Sequence, residues 1–153
     1  MKYLKTFENF DFDSIDLDES EYLYTDLSQI PNSGNGLFTS IDIEKDEIIS
    51  KFIGEILSDS EAESRAESGD DDYFMNLPSG EILDCKKTHC FAKYANDAEG
   101  IPSNFKNNSF ISMDDDGNVV LVAKRDISAG EEIFVGYGKN YWNRNNYRVS
   151  TNL

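Results

Sequence analysis

Apolar residues along this chain come in short runs, many alternating with polar residues or rich in β-branched side chains, and turn-forming residues separate the runs. YLYTDLSQIPNSGNGLFTS reads as an extended segment, a Gly-rich turn and a second extended segment, and IDIEKDEIISKFIGEIL continues with a turn at Lys45-Asp46 and a β-branched run. YFMNLPSGEILDC predicts two short strands around Pro78-Ser79-Gly80. SFISMDDDGNVVLVAKRDI is the clearest hairpin, turning at Asp116-Gly117. Helical patterning is scarce. Tyr3, Leu4, Phe7 and Phe10 follow the spacing of a short amphipathic helix, which leads into an acidic linker, DFDSIDLDES. SDSEAESRAESGDDD predicts a short acidic helix ended by Gly69. The pattern describes a mostly-β domain of many short strands with few helices.

A chain of 153 residues is long enough for one hydrophobic core and too short for two ordinary ones. Its formal charge of -16 repels nucleic-acid phosphate and anionic membrane surfaces and attracts basic polypeptides, so a cationic protein partner is expected, with no direct nucleic acid and no membrane. Acidity alone serves solubility equally well. Cys85 and Cys90 are the only cysteines, and no signal-peptide pattern opens the sequence, so reduced thiols in an intracellular protein of cytoplasm or nucleus are expected. Cys85, His89 and Cys90 crowd six residues without the paired spacing of a structural zinc site, and no metal is expected. Asp114, Asp115 and Asp116 lack the spaced ligands of a calcium loop and read as a hairpin turn.

Four stretches carry candidate chemistry: SGNGLF at 33–38, FIGE at 52–55, KYANDA at 93–98 and AGEEIFVGYGKNYW at 129–142. Each is ambiguous alone. Gly34-Asn35-Gly36 lacks the third glycine of a dinucleotide fingerprint, although its glycines permit close backbone approach to a ligand. Asn96-Asp97 favours a turn, because short polar side chains bond to nearby backbone.

In this order the four stretches resemble the SET domain, a β-rich family of protein-lysine methyltransferases that use S-adenosylmethionine; the resemblance runs from about Tyr22 to Trp142. GLFTSIDIEKDEIISKFIGEI is similar to the family's opening, with Phe52 where a tyrosine is usual. DDYFMNL and ILDC match the stretch that carries an active-site tyrosine and a structural aspartate, here Tyr73 and Asp84. KYANDA matches the segment usually written Arg-Phe-x-Asn-His, with Lys93 and Asp97 as departures. VAKRDISAGEEIFVGYG is the most specific match and puts Tyr137 at the catalytic tyrosine.

The resemblance implies several small sheets of short strands, few short helices and a C-terminal knot-like crossing that gathers Gly34, Asn35, Gly36, Asn96, Asp97 and Tyr137 around the cofactor. It implies Tyr137 and Tyr73 as catalytic residues, with Phe52, Tyr73 and Val135 along the channel for the target lysine. Phe52 removes a hydroxyl and Val135 is smaller than the usual Phe or Tyr, so a roomier channel and more than one added methyl are expected. The implied organisation is an arm over 1–21, a SET domain over 22–142 with a short acidic insert near 58–72, and a tail over 143–153. The implied partner is a basic protein or peptide such as a histone tail, and the arm could support a homodimer. Asp97 and Phe52 keep open the alternative of a catalytically weak or inactive SET-fold module that binds a peptide or partner.

Overall fold

The computed structural model describes residues 12–100 and 103–136. The helix expected near the N-terminus, the tail and Tyr137 lie outside the described residues. In chain order the elements are β1 (Asp13–Ser14), α1 (Glu19–Tyr22), β2 (Leu23–Leu27), β3 (Asn35–Thr39), β4 (Glu47–Lys51), β5 (Glu55–Leu57), α2 (Asp59–Glu67), β6 (Phe74–Asn76), β7 (Ile82–Asp84), β8 (Ser109–Met113), β9 (Val119–Ala123) and β10 (Glu132–Ile133). They form three small sheets, ordered β1-β4-β9-β8, β10-β3-β2 and β5-β7-β6. The mostly-β expectation holds: the described strands outnumber the helices and are short.

The first two sheets enclose the main core. Leu37 on β3, Ile49 on β4, Leu121 and Ala123 on β9, Ile133 on β10 and Val135 beyond it are completely shielded from solvent. β9 reads Val119-Val120-Leu121-Val122-Ala123 and is buried along its whole length. A strand covered on both faces has no reason to alternate, which is why this run is continuously apolar. Its hairpin with β8 keeps regular register from Ser109↔Ala123 to Met113↔Val119. The expected turn lies in a longer loop, where Asp114 Oδ1 accepts from the backbone N–H groups of Asp116 and Asn118 at 3.0 and 2.8 Å.

The third sheet carries α2. This helix begins with a reciprocal cap: Ser58 Oγ accepts from Glu61 N at 3.2 Å and the Glu61 carboxylate accepts from Ser58 N at 2.9 Å. Only Ala62 of the helix is buried, packing with Leu57, Phe74 and Ile82, so the acidic residues Asp59, Glu61, Glu63 and Glu67 face solvent. Arg65 then ties helix to sheet, donating to Asp84 Oδ2 at 2.7 Å and Glu55 Oε1 at 2.8 Å.

The acidic stretch DFDSIDLDES is docked on the domain over its described part. β1 pairs in parallel with β4, Ile15 packs on the main core, and the Glu19 carboxylate accepts from Ser50 Oγ at 2.6 Å and Lys51 N at 2.9 Å. Apolar side chains inside the acidic run, together with a carboxylate satisfied by two donors, hold it on the sheet.

Candidate functional site

β2 ends at Leu27, and the chain turns through Ser28–Gly34 before re-entering the sheet as β3. Gly34 has φ +64°, which a side chain would disfavour, and both Gly34 and Asn35 are exposed. A second segment meets this turn from far along the chain. After a single 3-10 turn at Ala92–Tyr94 the backbone becomes extended, and Asn96 Nδ2 donates to the carbonyl of Asn35 at 3.1 Å. A third strand of chain lies beside them: Asn96 bridges Phe134 in parallel, Val135 N donates to Asn96 O at 2.9 Å, and Ser109 bridges Val135 on the other side. The segment after β10 therefore runs between the KYANDA stretch and the start of β8.

Asp97 turns away from Asn35. Its Oδ1 accepts from Glu99 N at 2.9 Å and Asn107 Nδ2 at 3.0 Å, while the Glu99 carboxylate accepts from Asn107 N at 2.8 Å. The donors that an aspartate needs in place of the usual histidine thus come from the loop between the 3-10 turn and β8. Gly34, Asn35, Gly36, Asn96 and Asp97 are drawn into one region of the fold, with Gly36 buried and Asn96 and Asp97 half-buried.

A cavity of about 60 Å³ lies where the third sheet meets the main core, lined by Phe52, Asp72, Tyr73, Phe74, Met75, Cys85 and Lys93. Phe52 is buried and Tyr73 half-buried, so the two aromatics expected along a lysine channel share this wall. Burial raises the Tyr73 phenol above its usual range, helped by Tyr94 and the Asp72 carboxylate, and it stays protonated at neutral pH. Val135 is not among the lining residues; its side chain is fully shielded within the main core.

Two features of this wall are absent from the motif reading. Lys93 Nζ donates to the carbonyls of Cys85, Lys86 and Thr88 at 3.1, 3.0 and 3.0 Å and sits 5.5 and 5.4 Å from the ring centres of Tyr73 and Tyr94. Its signal in the sequence was a cation at the family's arginine position. Cys85 and Cys90 are both buried and free, and their side chains are in contact. The neighbouring Cys90 sulfur and burial push the Cys85 thiol up, and the Cys90 thiol donates to the Lys51 carbonyl at 3.8 Å. The Cys85 neighbour and the Ile53 N–H, which donates to Cys90 Sγ at 3.4 Å, draw Cys90 down. His89 instead packs edge-on against Phe91 at 5.2 Å, and among the described residues no three His, Cys, Asp or Glu side chains are placed to hold a metal ion.

A family model for the SET domain matches residues 34–138, most of the chain and all three stretches that converge here. The chain belongs to the SET-domain family. Over 108 residues, 69% of its length, this SET domain is 32% identical to "Histone-lysine N-methyltransferase mes-2" of Caenorhabditis elegans. It is 29% identical over 127 residues, 78% of its length, to "Histone-lysine N-methyltransferase, H3 lysine-36 specific" of Eremothecium gossypii. It is 32% identical over 108 residues to "Histone-lysine N-methyltransferase CLF" of Oryza sativa subsp. japonica. The chain spans only 14%, 18% and 12% of these three relatives. What it shares with them is the SET fold, whose Gly-x-Gly turn, Asn segment and crossing strand it assembles side by side.

Proposed function

We propose that this SET domain is an S-adenosylmethionine-dependent protein-lysine N-methyltransferase acting on a basic protein such as a histone tail. The observation that carries the reading is the bond from Asn96 to the Asn35 carbonyl, which sets the Gly-x-Gly turn against the crossing chain. The residues suit the donor. A molecule with an α-amino acid end and a purine needs backbone it can approach closely, and Gly34 and Asn35 are exposed beside a half-buried amide. Gly34, Asn35, Gly36, Asn96, Asp97 and Tyr137 would hold it. When bound, S-adenosylmethionine supplies an electrophilic methyl group on a sulfonium.

The remaining work belongs to the protein. A target lysine must lose its proton before it can attack, although a free lysine titrates near about 10.4. Phe52, Tyr73 and Met75 give the cavity an apolar wall that strips water from the aliphatic stem and disfavours a charged amine, against the opposite pull of the Asp72 carboxylate at its edge. Lys93 Nζ, held on the same wall by three carbonyls, adds like charge in the same direction. Tyr73, a neutral phenol, and Tyr137 orient the amine by hydrogen bonding. Asp72 in the cavity lining and the exposed acidic face of α2 favour a Lys/Arg-rich sequence around the target, and such substrates place the protein in cytoplasm or nucleus.

The decisive experiment is methyl labelling of a panel of basic proteins with S-adenosylmethionine, followed by mapping of the modified residue, with Tyr137→Phe as control. Labelled lysine that disappears in the control is the expected result. Cofactor binding without any transfer would identify a partner-binding module, and neither binding nor transfer would sink both readings.

A further inference from the structure

Glu132 is a charged-type side chain at the centre of the fold, 2% exposed, and the motif reading gives it no task. Both its oxygens are used. Oε2 accepts from Ser28 Oγ at 2.7 Å and Oε1 from Gln29 N at 2.8 Å, across more than a hundred residues of sequence. Ser28 in turn donates its N–H to the Gly34 carbonyl at 2.8 Å, and Ser28 Oγ accepts from Ile30 N at 3.1 Å. The carboxyl group is thus the hub from which the turn between β2 and β3 is suspended. Its own backbone is fixed from below, where Asn108 Nδ2 donates to Glu132 O at 3.0 Å and Glu132 pairs with Phe38 in the sheet.

The two glycines of the turn face different surroundings. A Cβ at Gly34 would meet no protein atom within 4 Å, and that position is demanding only through its φ of +64°. A Cβ at Gly36 would lie 2.1 Å from Glu132 Oε2 and 2.9 Å from Glu132 Cδ, inside the carboxyl group itself. Moving that carboxyl aside would break its bonds to Ser28 and Gln29.

We propose that Glu132 is the positioning residue of the Gly-x-Gly turn, and that Gly36 is glycine to admit this carboxyl rather than a ligand. The consequence for cofactor affinity rests on the methyl-donor reading above; the dependence of position 36 on position 132 does not. The test is a cycle of Gly36→Ala, Glu132→Ala and the double variant, with Glu132→Gln and Ser28→Ala beside it. Each is measured by thermal melting, by calorimetric titration with S-adenosylmethionine and by steady-state methyl transfer. In melting, Gly36→Ala is expected to cost much less in the Glu132→Ala background than in the wild type. In binding, Glu132→Ala is expected to lose about tenfold or more in affinity with turnover at saturating donor within about twofold. Ser28→Ala is expected to lose less. Glu132→Gln, which still offers an acceptor to Gln29 N and a donor to Ser28 Oγ, is expected to recover most of the affinity.

Equal cost of Gly36→Ala in both backgrounds, including failure of both the single and the double variant to fold, overturns the steric assignment. Wild-type affinity in Glu132→Ala overturns the positioning role. A wild-type protein that binds no S-adenosylmethionine removes the methyl-donor reading instead, and the melting cycle still decides the relation between Gly36 and Glu132.

Discussion

Asn96 Nδ2 donates to the Asn35 carbonyl at 3.1 Å, although the residues are 61 positions apart, and this bond joins two of the four sequence motifs. If the turn holds a cofactor, the amide sets the angle at which the Asn35 backbone is presented. Asn96→Ala is therefore expected to weaken S-adenosylmethionine binding by about tenfold, near the net worth of one well-placed hydrogen bond. Calorimetric titration measures this directly, and unchanged affinity would remove Asn96 from the site.

Tyr73 shares its cavity wall with Phe52, and burial keeps its phenol protonated. Tyr73→Phe removes one hydroxyl while keeping the ring that fills the wall. Turnover is expected to fall by about tenfold through loss of orientation, with the melting temperature nearly unchanged. Because the shift is upward from 10.0, wild-type turnover should show no ionisation from Tyr73 below that pH. A rate equal to wild type in peptide-methylation kinetics would leave Tyr73 a packing residue.

Asp84 is 1% exposed and meets Arg65 Nη1 at 2.7 Å, with Lys86 N donating to its other oxygen at 3.0 Å. Removing the carboxylate leaves Arg65, which joins α2 to β5 and β7, with Glu55 alone and leaves Lys86 N without its acceptor. Asp84→Ala is expected to destabilise the fold by about 2 kcal/mol, the scale of lost hydrogen bonds to a charged group, read from urea denaturation. A loss below about 0.5 kcal/mol, the size of an ordinary surface change, would show that the ion pair is not structural.

The Cys85–Cys90 contact makes a pH prediction. The Cys85 neighbour and the Ile53 N–H lower the Cys90 thiol below its ordinary 9.0, so between the folded and unfolded values the unfolded chain binds one proton more. This group's contribution is full above the ordinary value and is lost as pH falls through the lowered folded one. Cys85 is shifted the other way and stays a thiol in both states across that window. The urea midpoint of the wild type should therefore rise with pH through the window relative to Cys90→Ala. Thiolate ultraviolet absorbance should appear well below pH 9.0 and be missing in that variant. A first thiolate appearing only near 9.0 would refute the assignment.

Much of the fold was legible because its cues are local. The hairpin of β8 and β9, the β6–β7 pair and α2 each announce themselves through patterning and turn residues that act within a few positions. Whether the stretch from Asp13 to Tyr22 docks was open in the sequence, since its anchoring depends on Ser50 and Lys51, far away along the chain. Lys93 was visible as a departure from the family's arginine, yet its place in the cavity depends on three carbonyls that point inward only after the Cys85–Thr88 loop closes. The placement of Val135 in the core was likewise beyond any periodicity, because it follows from the passage of its segment between Asn96 and Ser109.

By itself the sequence determined a small, acidic, mostly-β domain with the ordered motifs of the SET family, since strand patterning, turn chemistry and motif order are properties of neighbouring residues. Only the tertiary structure decided which of those residues meet. It set Asn96 on Asn35, turned Asp97 toward Asn107 and filled the space beside Gly36 with Glu132. The reason is physical: buried polar groups must find partners wherever the chain brings them, and here those of Asp97 and Asn96 lie 10 and 61 positions away in sequence.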